Sequence, residues 1–168
     1  MKEYLKSLLA LYERKNAAYG NSTHITYCMY GEAAYAVRIT DKLNRLETLT
    51  FDLSIDRNDE SIIDTLDDAI TYLFIFAGDL MHGSHDYLDE GNIEATKNLF
   101  KHFIDRDSRM IENDAYDFFE SYMNYMPEVD LTTILFDMYS LGFTCQSLLL
   151  FASYLIDLRL KYERRNNV

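Results

Sequence analysis

Apolar positions recur at helical spacing along almost the whole chain, and strict alternation of the strand type is scarce. One proline, six glycines and an abundance of Leu, Met, Tyr and Ala point the same way, so the expected fold class is all-α. The pattern predicts a first helix over Lys2 to Ala18, stopped at Gly20, which suits a left-handed C-terminal cap. The polar stretch "GNSTHITYC" reads as a loop. A second helix is expected over Gly31 to Leu49, with Ala34, Val37, Leu43 and Leu46 turned to the core. A third covers Glu60 to Leu80, with Asp59 as its N-cap. After the break "HGSHDYLDEGN", a fourth runs over Ile93 to Ile104, and after "DRDSRMIEND" a fifth over Ala115 to Tyr125. Pro127 to Asp130 then opens one long final helix reaching Glu163.

The pattern also divides the chain near Gly83. Residues 1–80 carry the candidate motifs, and residues 81–168 carry packing that completes a bundle or an oligomer interface. Met138 to Ile156, "MYSLGFTCQSLLLFASYLI", is a 19-residue run without a charge, the lower bound for a membrane span. Its Ser140, Thr144, Gln146, Ser147 and Ser153 favour a helix buried between protein neighbours, so no membrane crossing is expected.

Composition narrows the function classes. With 16 basic against 28 acidic residues the net charge is −12, which speaks against nucleic acid as a partner and fits a protein that attracts cations. Cys28 and Cys145 have no zinc-type spacing and read as small core residues of a reducing compartment. The N-terminus "MKEYLKSLLALYERKN" lacks the pattern of a secretory leader, and a cytoplasmic protein is the expectation.

Candidate chemistry gathers at the entrance of the third helix, "DESIIDTLDDAITYLFIFAG", where five acids fall within ten positions. At about 100° per residue, Glu60, Asp64 and Asp68 stack on one side, and Asp67 lies beside Asp64. The core stripe of Ile63, Leu66, Ile70, Leu73 and Phe74 lies elsewhere on the helix. Like charges one turn apart repel by a few tenths of a kcal/mol, ~0.2–0.5 when solvated, and more when shielded from water. The helix dipole accounts for Asp59 and Glu60. It does not account for Asp68, beyond which the acid face continues as Thr71 and Ile75, so Asp64 and Asp68 are expected beside a covered cleft. Either a solvated acidic face or an oxygen-seeking ion such as Mg²⁺ satisfies this pattern.

The second helix contributes "VRITDKLNRL", in which Arg38, Lys42 and Arg45 follow one another at four and three residues, with Asp41 beside them. In an antiparallel hairpin, positions 38 to 45 fall opposite 61 to 68, which brings a basic and an acidic face together. An interhelical salt-bridge ladder is one outcome. The other is a division of labour in which Lys42 and Arg45 hold phosphate oxygens while the acids hold a metal bridging them. The first loop adds "RKNAAYGNS", where Arg14 and Lys15 at a helix C-terminus either complement the helix dipole or assist at a phosphate, and Tyr19 offers a ring on which a base could stack.

Taken in order, "RKNAAYGNS", "VRITDKLNRLETL" and "DESIIDTLDDAITYLFI" resemble the nucleotide-modification-associated domain of the MazG-like, all-α nucleoside triphosphate pyrophosphohydrolase superfamily. The resemblance covers about Tyr12 to Leu80. It implies a helical bundle, here with additional C-terminal helices, that works as a homodimer or homotetramer. It also implies Mg²⁺ held by helix-borne carboxylates and cleavage of a nucleotide substrate to monophosphate and pyrophosphate. Carried onto this chain, Glu60, Asp64 and Asp68, with Asp41, would hold the metal and activate the attacking water, while Lys15, Lys42 and Arg45 steady the phosphates. The superfamily's ExxE pair is absent from the second helix, where Glu32 is followed at +3 by Tyr35 and Asp41 by Asn44. A non-catalytic nucleotide-binding or regulatory oligomer is therefore the alternative expectation.

Overall fold

The computed structural model describes residues 1–51, 62–123 and 130–166. Within them the chain is all-α, with eight helices and no strands. They are α1 (Lys2–Tyr19), α2 (Ser22–Tyr30), α3 (Ala33–Phe51), α4 (Ile62–His82), α5 (Gly91–Asp105), α6 (Ser108–Met123), α7 (Leu131–Leu141) and α8 (Cys145–Asn166). Asp59, Glu60 and Pro127 lie outside the described residues.

Three expectations about the elements are corrected. The stretch read as a polar loop is largely α2, begun after Gly20 and ended at Gly31, whose positive φ of 64° terminates it. Polar side chains hid the helix, but His24 and Tyr27, three residues apart, share a buried face. The fifth helix starts at Ser108 rather than Ala115. Asp107 Oδ1 accepts from the Arg109 amide at 2.9 Å, and Ile111, Ala115 and Phe118 make a buried stripe at helical spacing. The long final helix is two. Gly142, at φ 86°, ends α7, and α8 restarts through a reciprocal cap between Thr144 and Ser147. The Ser147 amide donates to Thr144 Oγ1 at 3.0 Å, and the Thr144 amide donates to Ser147 Oγ at 3.1 Å. The uncharged run is thus bent in its first third, and no helix of the described residues is long and apolar enough to cross a membrane.

Helix α4 lies at the centre, packed against α8, α5 and α3. Its run from Ala69 to Asp79 is buried on nearly every side, which its apolar sequence requires. Phe74 stacks on Phe100 at 4.2 Å between ring centroids and meets Phe103 edge-on at 4.9 Å. Gly78 lets α5 come close, because a Cβ there would stand 2.1 Å from Thr96 Oγ1 and 3.0 Å from its Cα. Residues on both sides of Gly83 share one core, which includes Leu5, Leu43, Phe74, Phe100 and Phe151.

Helix α3 runs antiparallel to α4. Tyr35 stacks on Phe76 at 4.6 Å, the Arg38 guanidinium lies 5.8 Å from the Tyr72 ring centroid, and Lys42 pairs with Asp68. The basic and acidic faces therefore do meet, shifted by about one turn from the expected register. The buried stripe of α3 is Tyr35, Ile39, Leu43 and Leu46; Val37, expected in the core, is 61% exposed.

Candidate functional site

The junction of α1, α2, α3 and α4 encloses a cavity of about 350 Å³, lined among others by Lys15, Tyr19, Arg38, Asp68 and Tyr72. Of Asp64 and Asp68, both expected beside a cleft, only Asp68 lines this cavity, and Thr71 and Ile75, which continue the acid face of α4, form part of its wall. Each helix delivers its residue for a local reason. Lys15 stands just before the last turn of α1, four residues from its end at Tyr19. Arg38 and Lys42 are one turn apart on α3, facing Tyr72 and Asp68, which are one turn apart on α4.

Asp68 is the hinge of this arrangement. Its Oδ1 lies 3.1 Å from Lys15 Nζ and its Oδ2 lies 2.9 Å from Lys42 Nζ, so one carboxylate bridges two ammonium groups from two helices. The side chain is 32% exposed. Burial pushes its carboxyl up, and the hydrogen bonds and charges of Lys42 and Lys15 outweigh that effect and leave it below the ordinary aspartate value. Arg38 stacks on Tyr72 and has no carboxylate partner among the described residues.

The other expected site residues are distributed around this cluster. Asp64 stands one turn before Asp68 on α4 and is exposed; Asp41 and Arg45 are exposed on α3, and none of the three lines the cavity. Glu60 lies outside the described residues. Asp67, next to Asp68 in sequence, belongs to a different contact: its Oδ1 accepts from Tyr4 Oη at 2.8 Å and from Arg159 Nε at 3.2 Å. The Arg159 guanidinium also sits 4.2 Å from the Tyr4 ring centroid. Burial raises the Asp67 carboxyl above its ordinary value despite these partners.

A second, sealed cluster, absent from the sequence expectations, lies at the far end of α4. His24 and Asp79 are fully buried, with His24 Nδ1 2.9 Å from Asp79 Oδ1. Tyr35 Oη donates to Asp79 Oδ2, and His24 Nε2 lies 3.1 Å from the Asp86 carbonyl oxygen. Burial lifts the Asp79 carboxyl, opposed by Tyr35, His24 and Asn92. An aspartate interrupting the apolar run "FIFAGDLM" was the available signal, since an acid in such a place needs partners.

Among the described residues, no three His, Cys, Asp or Glu side chains are grouped so as to hold a metal ion. Both oxygens of Asp68 are engaged by lysines. The described acids by themselves therefore form no such group, and Glu60, a member of the expected set, lies outside the described residues.

Together, fold and site define an all-α protein with a cation-lined cavity beside its central helix. No family model, curated protein or solved structure matches the chain.

Proposed function

We propose that this cavity binds the phosphates of a nucleotide and that the chain is a nucleotide-handling protein of the kind its three N-terminal segments resemble. One observation carries the reading. In a chain of net charge −12, Lys15 and Arg38 line one cavity, and Lys42 stands behind its wall, paired with the lining carboxylate of Asp68. Such a focus of positive charge in an acidic protein suits a compact anion. Lysines act as point charges toward phosphate, and the Arg38 fork is pre-organised by its stacking on Tyr72. Tyr19, 74% exposed at the rim, offers a face to a base.

Hydrolysis to monophosphate and pyrophosphate with Mg²⁺ is the second reading. It is favoured by the placement of Asp64 and Asp68 one turn apart on α4, next to the lysines. No step is derived through the ion, because the described acids do not group around one. The homodimer or homotetramer that the resemblance implies would cover exposed apolar side chains such as Met29 and Phe136, and sedimentation measures it.

The test is a panel of nucleoside mono-, di- and triphosphates, followed by calorimetry for binding and by pyrophosphate release with and without Mg²⁺. Saturable binding that tightens with the number of phosphates supports the first reading, and turnover adds the second. Absence of saturable binding by every member overturns both.

A further inference from the structure

We propose that Asp68 is a built-in counter-ion that occupies the phosphate subsite, and that an incoming phosphate displaces it from Lys15 and Lys42. The inference rests on the nucleotide-binding reading and specifies how access to that site is regulated.

The geometry supplies the argument. The two carboxylate oxygens of Asp68 each take a different lysine, at 3.1 and 2.9 Å, as two non-bridging oxygens of a phosphate would. The lysines come from α1 and α3 and the acid from α4, so the carboxylate ties three helices together beside the cavity that Lys15 and Asp68 line. No other acid among the described residues pairs with either lysine. Removal of Asp68 would leave two neighbouring ammonium groups, with Arg38 at the same cavity, and no anion between them. A group that prevents this repulsion in the empty protein competes with any ligand that could do the same. The side chains of Lys15, Lys42 and Asp68 are 48%, 27% and 32% exposed, so solvent screens the clasp and leaves it weak enough to exchange. Asp68 and a bound phosphate cannot share the lysines at full strength, because the two anions would repel.

Under this account Asp68 opposes phosphate binding, the reverse of what a metal-holding carboxylate does. Inorganic pyrophosphate in EDTA is the probe, titrated calorimetrically into wild type, Asp68→Asn and Lys42→Gln, with melting curves to verify folding. The expectation is that Asp68→Asn binds about tenfold tighter than wild type, while Lys42→Gln binds more weakly. If wild type binds and Asp68→Asn binds equally or less well, the counter-ion role is overturned and the nucleotide reading stands. If Asp68→Asn leaves metal-free binding unchanged and abolishes a tightening by Mg²⁺, Asp68 is a metal ligand and the proposal fails. If neither protein binds, the cavity is not a phosphate site and both readings fall.

A measurement on wild type alone guards against a misfolded variant. The carboxyl carbon of Asp68 is followed through a pH titration by NMR, with and without saturating pyrophosphate. Displacement from the lysines raises its midpoint toward and above the ordinary aspartate value. A midpoint that stays where it is, or falls, contradicts displacement.

Discussion

Asp68 and Asp79 stand eleven positions apart on α4, close to three helical turns, and so on nearly the same face of one helix. Their surroundings could hardly differ more. Asp68 lines a cavity and is neutralised by two lysines whose side chains are only partly buried. Asp79 is sealed, accepting from the hydroxyl of Tyr35 and paired with the imidazole of His24, with Asn92 close by. Long ammonium side chains make a clasp that can open, whereas aromatic and imidazole partners locked in a core make one that cannot. One helix thus carries an exchangeable acid at one end and a structural acid at the other.

The imidazole of His24 sharpens the contrast. Its Nε2 faces the Asp86 carbonyl oxygen, which can only accept, so a proton belongs on that nitrogen. Its Nδ1 faces Asp79, so a second proton lies between ring and carboxyl. The network joins α2, α3, α4 and the segment before α5, and thereby holds the cavity wall at Ser22 and Thr23, immediately before His24.

The largest expected effect comes from breaking the sealed end. Asp79→Ala leaves His24 and Tyr35 buried without their acceptor and should cost about 3–5 kcal/mol in denaturant unfolding. A loss of a few tenths would show that the network is not structural. Next comes Gly78→Ala, where the new methyl meets Thr96 Oγ1 at 2.1 Å and α5 must shift, a cost of about 1–3 kcal/mol in the same measurement. Asp68→Asn, at the open end, should cost less than about 1 kcal/mol, since its ion pairs are partly solvated.

The smallest effect is a pH dependence with opposite signs at the two ends. The Asp68 carboxyl is depressed in the folded protein, so its contribution is present above the ordinary aspartate value and is lost as pH falls through the folded one. The Asp79 carboxyl is raised, so the folded protein keeps a proton that the unfolded chain has released. Stability from that group declines as pH rises through the window above the ordinary value. Melting temperatures of wild type and Asp68→Asn across the acid range should converge at low pH. Parallel curves would contradict the depressed value.

Much of this was legible in the sequence where periodicity speaks. The apolar run of α4, the basic row of α3 and their meeting face follow from spacing alone, and Lys15, Lys42 and Asp68 were singled out before any geometry. Short elements were not legible. Helix α2 holds only nine residues, several of them polar, and its buried His24 depends on Asp79, 55 positions away. The partner of Asp67 was hidden for the same reason, because Arg159 lies 92 positions away. Val37 misled because hydrophobicity alone does not fix a face, whereas Tyr35 two positions earlier supplies both the ring and the hydroxyl that the core needs.

The most direct measurement of the central claim is calorimetric titration of a nucleoside triphosphate into wild type and Lys42→Gln at low and high salt. The account predicts saturable binding by wild type that weakens with salt and falls by about tenfold or more in Lys42→Gln. Binding of equal strength in both proteins, indifferent to salt, would contradict a phosphate site between α1, α3 and α4.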